Sequence, residues 1–135
     1  EQRREAASTK TVSAETLLKM GEEIAGVNLV VADVAGGNAN QLRSLIDQLR
    51  RESGLVAALL ASRMPEDKVL LVAGISDGLV GGPLDAGHWV GTVAKVVGGG
   101  GGGKPGMAQA GGRDAAKIPE ALETARVFVR KALQA

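Results

Sequence analysis

GGGGGGKPGMAQAGGRDAAKIPEAL, residues 98–122, is the stretch on which the architecture of this chain turns. Six consecutive glycines have no side chains to pack, and glycine loses more backbone entropy on folding than any other residue. Such a run is regular structure only where tertiary contacts force it, and is otherwise a flexible linker. A linker between folded parts should continue into polar low complexity. This one continues into Lys104, then Met107, Ala108 and Ala110, and then an apolar helix. The chain therefore reads as one unit, with the glycines ordered against a sheet.

Downstream of the run, residues 107–110 suit a short edge strand. The last helix is expected to begin at Pro119, whose fixed φ fits a first helical position, with Leu122, Ala125, Val129 and Leu133 as its apolar face and Phe128 beside it. Upstream, residues 85–97 are rich in valine, but Trp89, Val93, Val96 and Val97 recur at i, i+4, i+7 and i+8, which favours a helix. Residues 78–87 contain Gly81, Gly82 and Pro83 and should form a loop. Residues 55–62 (LVAALLAS) and 68–75 (KVLLVAGI) are apolar runs joined by Arg63, Met64, Pro65, Glu66 and Asp67, a hairpin signal with both faces buried.

Residues 27–34 (VNLVVADV) read as a buried strand bounded by Gly26 and the pair Gly36 and Gly37. Asn38 and Gln41 have capping-box spacing. Leu42, Leu45, Ile46 and Leu49 then form one stripe of a helix whose other face shows Arg43, Asp47, Arg50 and Arg51, with Gly54 placed to close it. Residues 1–26 are charged and mixed in sign, with a thin stripe of Leu17, Leu18 and Ile24, and read as the end of a helical connector stopped by Gly26. The expectation is a connector over residues 1–26 and a single α/β domain over residues 27–135. That domain should hold a mixed β-sheet of about four to five strands covered by helices.

Composition narrows the chemistry. With 135 residues and 44% hydrophobic content, one core is the natural outcome. No cysteine is present, so disulfides, thiolate metal sites and cysteine nucleophiles are excluded. His88 is the only histidine, which leaves a zinc site or a Ser/His/Asp triad with too few parts. The 16 Lys and Arg nearly balance 15 Asp and Glu, so a nucleic-acid contact must come from a local patch. The chain starts at Glu1 and has no apolar run of membrane-span length, so it reads as an intracellular, cytoplasmic fragment of something longer, with no membrane partner.

The glycine run formally fits two phosphate-binding patterns, and neither holds. Gly98, Gly103 and Lys104 match G-x-x-x-x-G-K, but Pro105 stands where Ser or Thr must ligate Mg²⁺. Any six glycines satisfy G-x-G-x-x-G, and here a helix, not a strand, precedes them. What remains is a local excess of charge. Lys95, Lys104, Arg113 and Lys117 stand around the run with only Asp114 opposing. That set beside bare amides favours an anionic backbone as ligand. With only Trp89 and Phe128 as aromatics, base-stacking platforms are nearly excluded, so recognition should be of phosphate and shape.

Residues 72–76 (VAGIS), then Ala86, Gly87, Val90 and Gly91, then residues 98–122 resemble the C-terminal end of bacterial alanyl-tRNA synthetases, a DHHA1-like domain. The DHHA1 domain of DHH-type phosphoesterases has a shorter glycine motif ending in histidine, whereas this chain has Lys104 and Pro105. The resemblance implies a non-catalytic module that grips the tRNA elbow and couples aminoacylation with editing, joined to the rest of the synthetase chain. A homodimer through residues 1–25 is compatible with it. The full-length enzyme would be an alanine–tRNA ligase using ATP, Mg and Zn, with no cofactor and no catalytic or metal-binding residue in this fragment. Carried over by position, the tRNA-binding residues are Gly98, Gly99, Gly100, Gly101, Gly102, Gly103, Lys104, Met107, Gln109 and Arg113. A nucleotide- or oligonucleotide-binding module of a phosphoesterase is the alternative function, and a purely structural assembly domain the third.

Overall fold

The computed structural model describes residues 14–24, 26–34, 38–52, 54–79, 82, 84–104 and 106–134. Its centre is a pair of parallel strands, β2 (Val27–Asp33) and β3 (Val56–Arg63), in register from Asn28 against Val56 to Asp33 against Ala61. Parallel neighbours need a crossover, and α2 (Ala39–Glu52) supplies it. Its start is locally encoded. The Asn38 N–H donates to Gln41 Oε1 at 3.0 Å while the Gln41 N–H donates to Asn38 Oδ1 at 2.9 Å, a reciprocal capping box.

The hairpin expected from the two apolar runs is present. β4 (Val69–Ile75) runs antiparallel to β3, and the connection is a short 3-10 turn at Pro65–Asp67. Successive β3 residues face opposite ways. Val56, Ala58 and Leu60 pack with Leu42, Ile46 and Leu49 of α2, while Ala57, Leu59 and Ala61 join the core beneath α3 (Ala86–Val96) and α4 (Ile118–Gln134). The sheet is thus covered on both faces, which is why its central strands lack polar alternation. Trp89, fully buried, joins the two helices of one layer by donating its Nε1–H to the Ala125 carbonyl at 3.1 Å.

The sheet has six strands in the order β1-β2-β3-β4-β6-β5, more than the four or five expected. β6 (Met107–Gly112) pairs antiparallel with β4 and is an inner strand, not the edge. The edge is β5, which is Gly100–Gly103 itself, antiparallel to β6. At the other edge, β1 (Glu22–Ile24) pairs antiparallel with β2. Here the helix expected to run to Gly26 ends earlier. α1 spans Ala14–Met20, and Gly26, at φ +84°, sits in the β1–β2 turn. The cause is packing: Leu17 is fully buried with Val30 and Leu42, and the open side of β2 offers pairing to residues 22–24. Residues 1–13, half of the expected connector, lie outside the described residues. α4 starts at Ile118, next to the expected Pro119.

Candidate nucleic-acid interface

The route into the glycine strand is set by the end of α3. Asp85 caps the helix start, accepting the His88 N–H at 3.0 Å. At the other end Gly98, at φ +72°, donates to the Lys95 carbonyl at 3.2 Å, and Gly99 donates to the Ala94 carbonyl at 2.9 Å. This is a Schellman closure, and its left-handed residue favours glycine. It reverses the chain so that residues 100–103 run back along α3 as β5.

Packing then separates the glycines into two sets. A Cβ on Gly101 would stand 2.5 Å from Cα and Cβ of Ala110, and one on Gly103 would stand 2.9 Å from the same atoms of Ala108. A Cβ on Gly99 would overlap the Gly111 carbonyl oxygen. These three positions admit no side chain. Gly100, in contrast, has open space within 4 Å of its would-be Cβ, and Gly102 meets only the Gly87 oxygen, at 3.9 Å. The fold tolerates a side chain at both, so their bare backbone is an exposed feature that packing does not require.

The register puts Gly102 beside Gln109 and Gly100 beside Gly111, on the face of the sheet that carries Val72 and Met107. α2 covers this face over β3 and β4, whereas the helix packed on β5 and β6 is α3, on the opposite side. The Gln109 side chain leaves its Oε1 buried and without a hydrogen-bond partner among the described residues. Met107 is half-buried, its sulfur close to Gly74 of β4, so it fills the core margin.

Cations surround this strand. Lys104 follows β5 directly, its N–H held by the Met107 carbonyl at 3.1 Å. Arg113, its N–H on the Val97 carbonyl at 2.8 Å, lines a hollow with Gly98, Gly99, Gly100, Gly111 and Gly112. Lys95 lines a groove on the α3 side with Gly99, Gly100 and Gly101. These three and Lys117 are exposed and join no ion pair among the described residues. Away from the strand, Arg50 pairs with Asp77 at 2.9 Å and with Asp47 at 3.5 Å, and Arg130 pairs with Glu22 at 2.9 Å. Free cations around bare amides make an anion-attracting surface.

Of the residues singled out from sequence, Gly100 and Gly102 lie on the exposed edge strand, Lys104 follows it directly and Arg113 lines the hollow beside Gly100, whereas Gln109 lies on the inner strand β6 with its Oε1 buried. Gly98, Gly99, Gly101 and Gly103 have conformational or packing reasons of their own. Lys95 belongs to the basic set read around the run but not to the binding residues carried over by resemblance; the helical spacing that aligns it with His88 and Thr92 along β5 is the signal that adds those two. Among the described residues no cluster of three or more His, Cys, Asp or Glu could hold a metal, and no helix is long and apolar enough to cross a membrane.

Comparison with known proteins places this geometry. Residues 26–131 match the DHHA1 domain family. The alanine–tRNA ligase of Rhodopirellula baltica is 48% identical over 126 residues, covering 93% of this chain and 13% of that protein. That of Synechocystis sp. is 44% identical over 114 residues, covering 84% and 13%. The chain therefore spans only about an eighth of the length of these relatives. Among solved structures, the C-Ala domain from Aquifex aeolicus alanyl-tRNA synthetase superposes with a TM-score of 0.71 at 28% identity, covering 85% of this chain and 98% of that domain. A DHH-domain protein described as a member of a family of ribosomal proteins shares the fold, with a TM-score of 0.60 at 18% identity over 87% of this chain and 29% of that one. A six-stranded mixed sheet edged by a glycine strand, together with a family match over residues 26–131, establishes that this chain belongs to the DHHA1 domain family, with the C-Ala type of fold.

Proposed function

We propose that this chain is the C-terminal tRNA-binding domain of an alanine–tRNA ligase. In this reading it holds the elbow of tRNA on β5 and its flanking cations, helps couple aminoacylation with editing, and catalyses nothing alone. The ATP, Mg and Zn of the complete enzyme would be served by other parts of that chain. Any self-association would run through residues 1–25.

One observation carries the reading. Gly100 and Gly102 have room for side chains and carry none, so the strand offers bare backbone to a closely approaching ligand where Lys104 and Arg113 add positive charge that is unpaired among the described residues. A folded phosphate backbone fits such a surface better than splayed bases do, because β5 carries no side chains and, among the described residues lining the grooves beside it, His88 supplies the one ring that could stack a base.

The test is a salt titration of binding to folded tRNA, to an unstructured RNA of equal length and to a short oligonucleotide. Preference for tRNA is expected, with Lys104→Ala and Arg113→Ala each lowering the slope of log affinity on log salt by up to about one unit. Equal binding of the unstructured RNA would refute recognition of the folded elbow. Preference for the short oligonucleotide would favour a phosphoesterase-type module instead.

A further inference from the structure

α3 carries two glycines one turn apart, Gly87 and Gly91, on the side turned to β5. Glycine inside a helix costs about 1 kcal/mol relative to alanine. Here the absent side chains admit a close contact. A Cβ at Gly87 would stand 2.9 Å from the Gly103 oxygen, and one at Gly91 would stand 3.3 Å from the Gly101 oxygen. Helix backbone rests almost directly on strand backbone.

That contact decides where the neighbouring helix face stands. His88, Thr92 and Lys95 follow one another at i, i+4 and i+7, on one side of the helix. With Gly87, Gly91, Gly99, Gly100 and Gly101 they enclose a groove of about 290 Å³ along the glycine strand. The three side chains extend over about 10 Å of helix, longer than a single phosphate needs. Among the described residues no carboxylate lines the groove and Lys95 has no ion-pair partner. The His88 ring stands 5.5 Å from the Phe128 ring at a 42° tilt, which steadies it at the groove mouth. Lys95 brings a cation, Thr92 a hydroxyl and His88 a ring N–H, all able to donate to phosphate oxygens.

We infer that this α3 ridge is a second wall of the RNA-binding surface: Lys95, Thr92 and His88 hold one stretch of phosphodiester backbone against the glycine strand. The inference rests on the reading of β5 as an RNA-binding strand and adds three contact residues to it. The charge complementarity is continuous, since the cations Arg113 and Lys104 stand at opposite ends of β5.

The experiment measures tRNA affinity across salt for the 135-residue chain and its Lys95→Ala, Lys95→Gln, Thr92→Val, Thr92→Ser and Lys104→Ala variants, with melting temperatures alongside. Lys95→Ala and Lys95→Gln should each weaken binding about three- to tenfold and lower the salt slope by about one unit, with melting unchanged. Thr92→Val should weaken it about threefold, and Thr92→Ser, which keeps the hydroxyl, should recover most of that loss. If the Lys95 and Thr92 variants bind like wild type while Lys104→Ala loses affinity, the ridge is not a wall of the site. If wild type binds no tRNA, the reading of β5 falls and the ridge with it.

Discussion

Alanine substituted separately at Gly101 and at Gly102 should move stability in opposite directions, although the two glycines are adjacent on one exposed strand. At residue 101 the new methyl would lie 2.5 Å from Cα and Cβ of Ala110 and 2.7 Å from the Gln109 oxygen. Two of those three atoms are backbone, and the third is a Cβ fixed to it, so relief requires β5 to part from β6. Overpacking of this kind costs about 1–3 kcal/mol. At residue 102 the nearest atom is 3.9 Å away, an ordinary contact, and φ is not in the left-handed region. Replacing glycine there narrows the unfolded ensemble and stabilises by about 0.4–1 kcal/mol. The two variants should therefore differ by roughly 1.5–4 kcal/mol in urea unfolding followed by circular dichroism. Binding should follow a different order. Gly102→Ala, and more so Gly102→Val, should weaken tRNA binding while raising stability, because the side chain covers the backbone a ligand would approach. Valine at residue 101 reports on the fold instead and says little about ligand approach. Equal destabilisation by alanine at 101 and 102 would refute the packing argument, and undiminished tRNA binding by Gly102→Val would refute the use of bare backbone as a contact.

Asn38→Ala removes one half of the capping box and should cost about 1 kcal/mol in the same unfolding assay, with no change in salt slope; a neutral result would mean the cap is not worth its two bonds. Trp89→Phe keeps most of the buried ring but removes the indole donor to the Ala125 carbonyl, which keeps its place in the α4 ladder, for an expected loss of about 1 kcal/mol, and wild-type stability would show that α3 and α4 do not depend on that bond. Burial raises the pKa of Asp33 and the Arg63 charge partly offsets it, so the native state binds this proton more readily than the unfolded chain. Wild type thus loses stability as pH rises through the native pKa. Asp33→Asn should be the more stable form near neutral pH, and its advantage should disappear on acidification below the carboxylate range; an advantage independent of pH would contradict this.

Much of the fold was legible because its signals are local. The Asn38 and Gln41 pair, the stripe of Leu42, Ile46 and Leu49, and the turn-rich break between two apolar runs announce α2 and the β3–β4 hairpin through contacts a few residues apart. Trp89 and Val93 likewise mark the buried side of α3 by helical spacing alone. The charge excess around the glycines and the family likeness of residues 98–122 were also plain in the chain itself. The two edge strands were not. β1 has three residues, two of them glutamates, with no apolar alternation to register, and it exists because β2 presents an unpaired side. β5 has no side chains, so it has no periodicity of any kind; its conformation comes from β6 on one flank and the Gly87 and Gly91 backbone above it. Nothing in six identical letters separates Gly101, which a methyl group would drive into Ala110, from Gly102, which has room for one. That distinction arises only when strands pair, because cross-strand distance depends on a partner whose position no local sequence records.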